Sequence, residues 1–114
     1  MTKKKQADLI KRPARLIIAH AVISKGFKMK PKVTKPSPKE KQEAESWPIW
    51  EKEESIFPWE YDEKETCLIL KGKAAVKCPE GTVEFGAGDY VVFPVGLKCT
   101  WEIKEKIKKH YNFG

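Results

Sequence analysis

Glu65–Cys99 reads ETCLILKGKAAVKCPEGTVEFGAGDYVVFPVGLKC, and the placement of its glycines decides the fold. An apolar run opens the stretch, and Lys71-Gly72-Lys73 supplies a first turn. Glu80-Gly81 supplies a second turn, and Gly88-Asp89 leads into Tyr90-Val91-Val92-Phe93-Pro94-Val95-Gly96. Short apolar runs joined by glycine-containing turns predict a compact antiparallel β structure.

Two spacings in this stretch are more specific. Glu65 is followed after six residues by Gly72, and Gly88 is followed after five by Pro94-x-Gly96. These are the end of the first and the start of the second cupin motif, so the chain resembles the cupins over roughly residues 33 to 114. With Trp47-Pro48-Ile49-Trp50-Glu51-Lys52-Glu53 upstream and Glu65-Thr66-Cys67 in the first motif, it looks most like the small single-domain cupins related to ureidoglycine aminohydrolase. The resemblance implies an all-β, cupin-type jelly-roll barrel and a homodimer in which an N-terminal strand adds to a neighbour's sheet. It does not carry the metal chemistry across, because every histidine of both motifs is missing.

Charge divides the chain in two. Residues 1 to 35 hold eleven Lys/Arg against the single Asp8, a net +10, and the remaining 79 residues carry twelve Lys/Arg and fifteen Asp/Glu, a net −3. The expected organisation is a basic, irregular arm over residues 1–32 and one cupin domain over 33–114. The arm's lysines would give salt-sensitive, sequence-independent contacts to nucleic acid. Its near absence of acid also suits a transit peptide, so the expected location is cytoplasmic with a plastid as the alternative. Leu16–Val22 is too short to span a membrane. Cys67, Cys78 and Cys99 are odd in number and lack zinc spacing, which argues against a disulfide framework or structural zinc and favours a reducing compartment.

Ala14–Ile23 fits either a helical turn or a strand, and Phe27–Val33 alternates as an edge segment interrupted by Pro31. Ser37-Pro38-Lys39-Glu40 is a helix start, with Ser37 as N-cap, Pro38 at the first helical position and Glu40 closing a capping box. The helix should run to about Ser46 as a surface spacer. Strands are expected at 57–61, 65–71, 73–78, 82–85, 89–93, 97–103 and 107–111.

Alternation along a strand sends Glu65, Cys67 and Ile69 into the barrel if the motif glutamate points inward, and it sends Cys99, Trp101 and Ile103 there from the second motif. The first-motif histidine positions fall on Trp59 and Tyr61, or on Pro58 and Glu60. In the ureidoglycine aminohydrolase branch the ligand positions fall on Trp59, Tyr61 and Glu65. Indole ligates no metal, so neither a metal nor another cofactor is expected. The expected site is a pocket for a small organic molecule, with Glu65 as polar anchor and Tyr61, Trp59, Cys67, Cys99 and Trp101 around it. An inward Glu65 in apolar walls needs a hydrogen bond from Tyr61 or a bound ligand. Read as a carboxylate without a partner of its own, it predicts that Glu65→Gln leaves stability unchanged or raises it. The competing readings are an interaction protein acting through the basic arm and a degenerate-site enzyme acting on a small nitrogenous or sugar-like substrate.

Overall fold

The computed structural model describes residues 29–114. Seven antiparallel strands and one short helix follow in the order β1 (Lys32–Thr34), α1 (Pro38–Ala44), β2 (Ile49–Lys52), β3 (Ser55–Glu60), β4 (Glu65–Cys78), β5 (Gly81–Gly86), β6 (Tyr90–Phe93) and β7 (Lys98–Phe113). The architecture is that of a jelly-roll barrel. The readings made on Ala14–Ile23, on Phe27 and on most of the basic arm lie outside the described residues. Among those described, no helix is long and apolar enough to cross a membrane.

β4 and β7 pair along nearly their whole length, from Glu65 opposite Phe113 to Lys77 opposite Thr100. The other edge of β7 carries β3 and then β2, from Trp59 opposite Cys99 to Ile49 opposite His110. The other edge of β4 carries β6 beside Glu65–Leu68 and β5 beside Lys73–Cys78. β1 adds to β6, with Val33 opposite Val91. Each of the two long strands therefore serves both halves of the barrel.

Two expected breaks are absent. Lys71-Gly72-Lys73 is a bend within β4 and separates no strands, and the segments expected at 97–103 and 107–111 are one strand, β7. The register between them shifts at three points from Ile69 to Ala74, which bends the ladder without ending it. Gly72 makes this bend possible. Its φ is +91°, and a Cβ there would collide with the carbonyl oxygen of Lys106 and lie 2.8 Å from that of Glu105. The glycine thus permits both a left-handed backbone and the close approach of the partner strand. Pro79-Glu80 makes the tight connection from β4 to β5, one residue before the expected Glu80-Gly81, and Gly81 opens β5.

Helix α1 forms for the reason read from its first residues. Ser37 Oγ accepts from the Glu40 N–H at 3.1 Å, and Glu40 Oε1 accepts from the Ser37 N–H at 2.9 Å. The two bonds close the capping box. The one buried residue of the helix, Ala44, faces the barrel wall. His110 Nδ1 lies 2.8 Å from the Trp47 carbonyl. A carbonyl only accepts, so Nδ1 carries the proton and pins the segment after the helix to β7.

The core is aromatic. Tyr61 stacks on Phe93 at 4.9 Å between ring centres, Phe93 stacks on Trp101 at 5.5 Å, and Phe85 meets Trp101 edge-on at 5.5 Å. Cys67, Ile69, Val76, Val91, Leu97 and Ile107 fill the space between the rings.

Gly72→Ala should lower unfolding stability by about 2–4 kcal/mol, because the left-handed strain of about 1–2 kcal/mol adds to a backbone clash that cannot relax cheaply. Gly88→Ala is the control, since Gly88 has φ +94° but open space around its Cβ position. Urea denaturation of both variants checks this. Equal losses would mean that the approach of Lys106 imposes nothing on Gly72.

Candidate functional site

The site lies inside the half of the barrel formed by β2, β3, β4 and β7. Alternation along β3 turns Phe57 and Trp59 inward, followed by Tyr61 just after the strand, and alternation along β2 turns in Trp50. β4 contributes Glu65, and β7 contributes Trp101 and Lys109. These residues enclose a cavity of about 10 Å³, room for about one water molecule.

Glu65 is fully buried and has a fixed partner. Lys109 Nζ donates to Glu65 Oε2 at 2.9 Å, with both side chains almost wholly removed from solvent. The ammonium also lies 4.7 Å from the centre of the Trp50 ring, 4.8 Å from that of Trp101 and 6.0 Å from that of Phe93. Ring faces carry negative charge density and attract a cation. Burial works against the charge on Lys109, but Cys67 and Glu65, with the hydrogen bonds they make, outweigh it and hold the lysine above its usual pKa. The Cys67 thiol is itself pushed well up, first by burial and then by the Glu65 charge. At neutral pH it is therefore a neutral neighbour, and Glu65 supplies the counter-charge.

The other predicted residues divide into two groups. Trp59, Tyr61 and Trp101 line the cavity with Glu65. Trp101 Nε1–H donates to Tyr61 Oη at 3.3 Å, and burial followed by the Glu65 charge raises the Tyr61 phenol far above its ordinary value. Cys67 and Cys99 are buried beside this group but do not line the cavity. Cys99 Sγ lies 3.6 Å from the Trp59 carbonyl, and burial, followed by the charges of Cys78 and Glu65, pushes its pKa up to about 12. It is a protonated thiol at neutral pH, with no nucleophilic character.

Two cavity residues present polar atoms that no group among the described residues satisfies. Glu65 Oε1 and Trp50 Nε1 are buried without a hydrogen-bond partner there, and both residues face the same cavity. One accepts and the other donates, so together they suit a molecule or group that does both.

Sequence reasoning missed Lys109, and its account of Glu65 as a carboxylate without a partner is corrected accordingly. The signal was present, because 107–111 reads as a strand and Ile107 and Tyr111 are apolar. Alternation between them places Lys109 on the inner face. Its position in the basic run Lys104–Lys109 makes a solvated side chain the ready reading. Phe57 and Trp50 were missed as lining residues for the simpler reason that they lie upstream of every motif ligand position.

This barrel, with an inward glutamate on its fourth strand, defines a small cupin. The chain belongs to the EutQ-like cupin domain family, whose profile matches residues 39–111. It is similar to a DUF861 family protein from Thermotoga maritima, at 46% identity and a TM-score of 0.71, over 75% of this chain and 100% of that one. Likeness to the EutQ protein of Clostridium difficile (18% identity, TM-score 0.54, 57% of this chain and 52% of that one) extends to the fold alone. The same holds for a putative ethanolamine utilization protein Q from Salmonella typhimurium (16%, 0.53, 76% and 97%). No curated protein matches the chain at a significant level.

The residues do not fit the metal ion that histidine-bearing cupins hold. Neither Trp59 and Tyr61 nor Pro58 and Glu60, the two placements of the histidine positions, supplies an imidazole, the glutamate is engaged by an ammonium group, and no three His, Cys, Asp or Glu side chains converge among the described residues.

Glu65→Gln should lower stability at neutral pH by about 3–5 kcal/mol, since it strands a buried ammonium group. This reverses the sign expected from sequence. The double variant Glu65→Gln/Lys109→Met should recover most of the loss, as apolar replacement of a whole buried pair is often neutral or better. Lys109 is held above its ordinary value of 10.5, so its contribution is complete below that pH and is lost as pH rises through its folded pKa. Urea denaturation from neutral to strongly alkaline pH should therefore show this contribution to wild-type stability constant near neutrality and lost only in the alkaline limb. If the double variant is no more stable than Glu65→Gln, the two residues are not a coupled pair.

Proposed function

We propose that this cupin binds a small uncharged nitrogenous molecule, of the ureido or amide type, in the barrel and without a metal ion. The observation that carries the reading is the pair of unsatisfied atoms, Glu65 Oε1 and Trp50 Nε1–H, at one cavity. An amide or ureido group offers an N–H to the first and a carbonyl to the second. Leaving such atoms unpaired costs about 1–3 kcal/mol each, a cost a binding site bears and an inert core sheds. The sequence resemblance to the ureidoglycine aminohydrolase branch, carried by Trp47–Glu53 and Glu65-Thr66-Cys67, supports the same ligand class.

At about 10 Å³ the cavity is far below the roughly 300 Å³ of an ordinary ligand pocket. Entry therefore requires Phe57 and Trp59 to turn outward. Both are only partly buried and meet edge-on at 6.1 Å, so they are the walls that can yield. Titration with acetamide, N-methylurea and hydantoin, followed by the indole N–H resonances, tests the reading. Saturable shifts at Trp50 and Trp59 but not at the half-buried Trp47 are expected, with Trp50→Phe weakening binding about tenfold through loss of one hydrogen bond. Non-saturating shifts, or shifts of equal size at Trp47, would overturn it.

The uneven charge favours a second reading, in which the basic N-terminal segment attaches the barrel to nucleic acid. Residues 1–35 carry +10 against −3 for the rest. Met29 packs on the core and lies near Gly96, so a shortened chain should begin at Lys28 to preserve the barrel. The full chain should bind duplex DNA with an affinity that falls steeply with salt, and the shortened one, lacking seven of the eleven basic residues, should bind far more weakly. Equal binding by both rejects the role.

A further inference from the structure

We infer that Lys109 is a built-in ligand: its side chain supplies, from within the chain, the cation held at the barrel glutamate, and the surrounding box is a primary-ammonium site that its own lysine fills. Three independent features meet at one nitrogen. A buried carboxylate lies 2.9 Å away, and the faces of two indoles lie at 4.7 and 4.8 Å. The phenyl ring of Phe93 closes a further side at 6.0 Å. A carboxylate combined with aromatic faces is the chemistry that selects an organic ammonium. It selects against a divalent metal, which needs several lone-pair donors, and ring faces provide none.

The reach of the side chain fits this role. Lys109 pairs with Ile69, four residues along β4 from Glu65, about 13 Å at the rise of a strand. Lysine and glutamate leaning toward one another close that distance to the 2.9 Å between Nζ and Oε2. Shortening the lysine to alanine removes three carbons and the nitrogen, which is n-propylammonium. The inference concerns the occupant of Glu65 and stands whether or not the neighbouring cavity binds the molecule proposed above.

The test uses the full chain carrying Lys109→Ala, with melting followed at constant ionic strength in n-propylammonium chloride or sodium chloride. Saturable stabilisation by the amine is expected, with Tm rising by roughly 5 °C or more at ten times the dissociation constant. The wild type and Glu65→Gln/Lys109→Ala should not respond. A folded Lys109→Ala protein whose Tm is the same in both salts would overturn the inference. If Lys109→Ala does not fold, the wild type decides, through side-chain 15N-labelled lysine. One ammonium resonance protected from solvent exchange and lost in Lys109→Met is expected. The absence of any protected lysine, or a full equivalent of divalent metal released by Glu65→Ala, would overturn the inference.

Discussion

The ladder between β4 and β7 is the constraint on which the remaining structure depends. Both strands are longer than one face of a small barrel, so each must bend, and the bend must occur where the partner strand can follow. Gly72 meets that demand, because its backbone is left-handed and the Lys106 carbonyl sits where a side chain would be. On one side of the bend β4 pairs outward with β6, and on the other with β5. The same ladder puts Glu65 and Lys109 on the inner face of adjoining strands. The site is thus a direct product of the register.

The ion pair has a different standing from the ladder. Removing an ammonium and a carboxylate from water costs several kcal/mol each, and their mutual attraction does not reliably exceed that cost. Apolar residues of the same volume would stabilise the barrel at least as well. The aromatic walls reduce the cost on the cationic side, since Trp50 and Trp101 face the ammonium and restore part of its lost solvation. Among the described residues nothing equivalent serves the second carboxylate oxygen, and Trp50 Nε1–H is also left unpaired. Two of the three such buried atoms among the described residues belong to cavity residues, and the third is Glu60 Oε2, outside the cavity lining.

Much of the fold was legible in the sequence. Gly72, Gly88 and Gly96 all adopt positive φ, and the spacings from Glu65 to Gly72 and from Gly88 to Pro94-x-Gly96 pointed to the cupin barrel. The capping box at Ser37 and Glu40 was equally plain, because it depends only on residues three apart. The continuity of β4 and β7 was not legible. A glycine between two lysines reads locally as a turn, and only the approach of Lys106 from 34 residues along the chain shows it to be a bend. The site was half legible for a related reason. Motif spacing located Glu65, Trp59 and Tyr61, but the partner of Glu65 lies 44 residues away in a run of charge that composition assigns to solvent. Long-range electrostatic pairing leaves no local mark except strand parity, and parity applied to 107–111 would have placed Lys109 inside.

A tethered ammonium and a metal ion give a barrel different chemistry, and the difference follows from charge and valence. A divalent ion with open coordination positions polarises a carbonyl or acidifies water. An ammonium carries half that charge, has no open coordination position and offers only directional N–H donors. Here one donor is engaged by Glu65 Oε2, and the charge is shared with two indole faces. Cys67 and Cys99 are kept protonated by burial and add no nucleophile. The cavity groups left over among the described residues are one carboxylate oxygen and one indole N–H, an acceptor and a donor of hydrogen bonds. Among the described residues, the loss of the motif histidines and the presence of Lys109 therefore point the same way: an ammonium group engages the barrel glutamate, and the lone-pair donors a metal ion would need are not gathered around it.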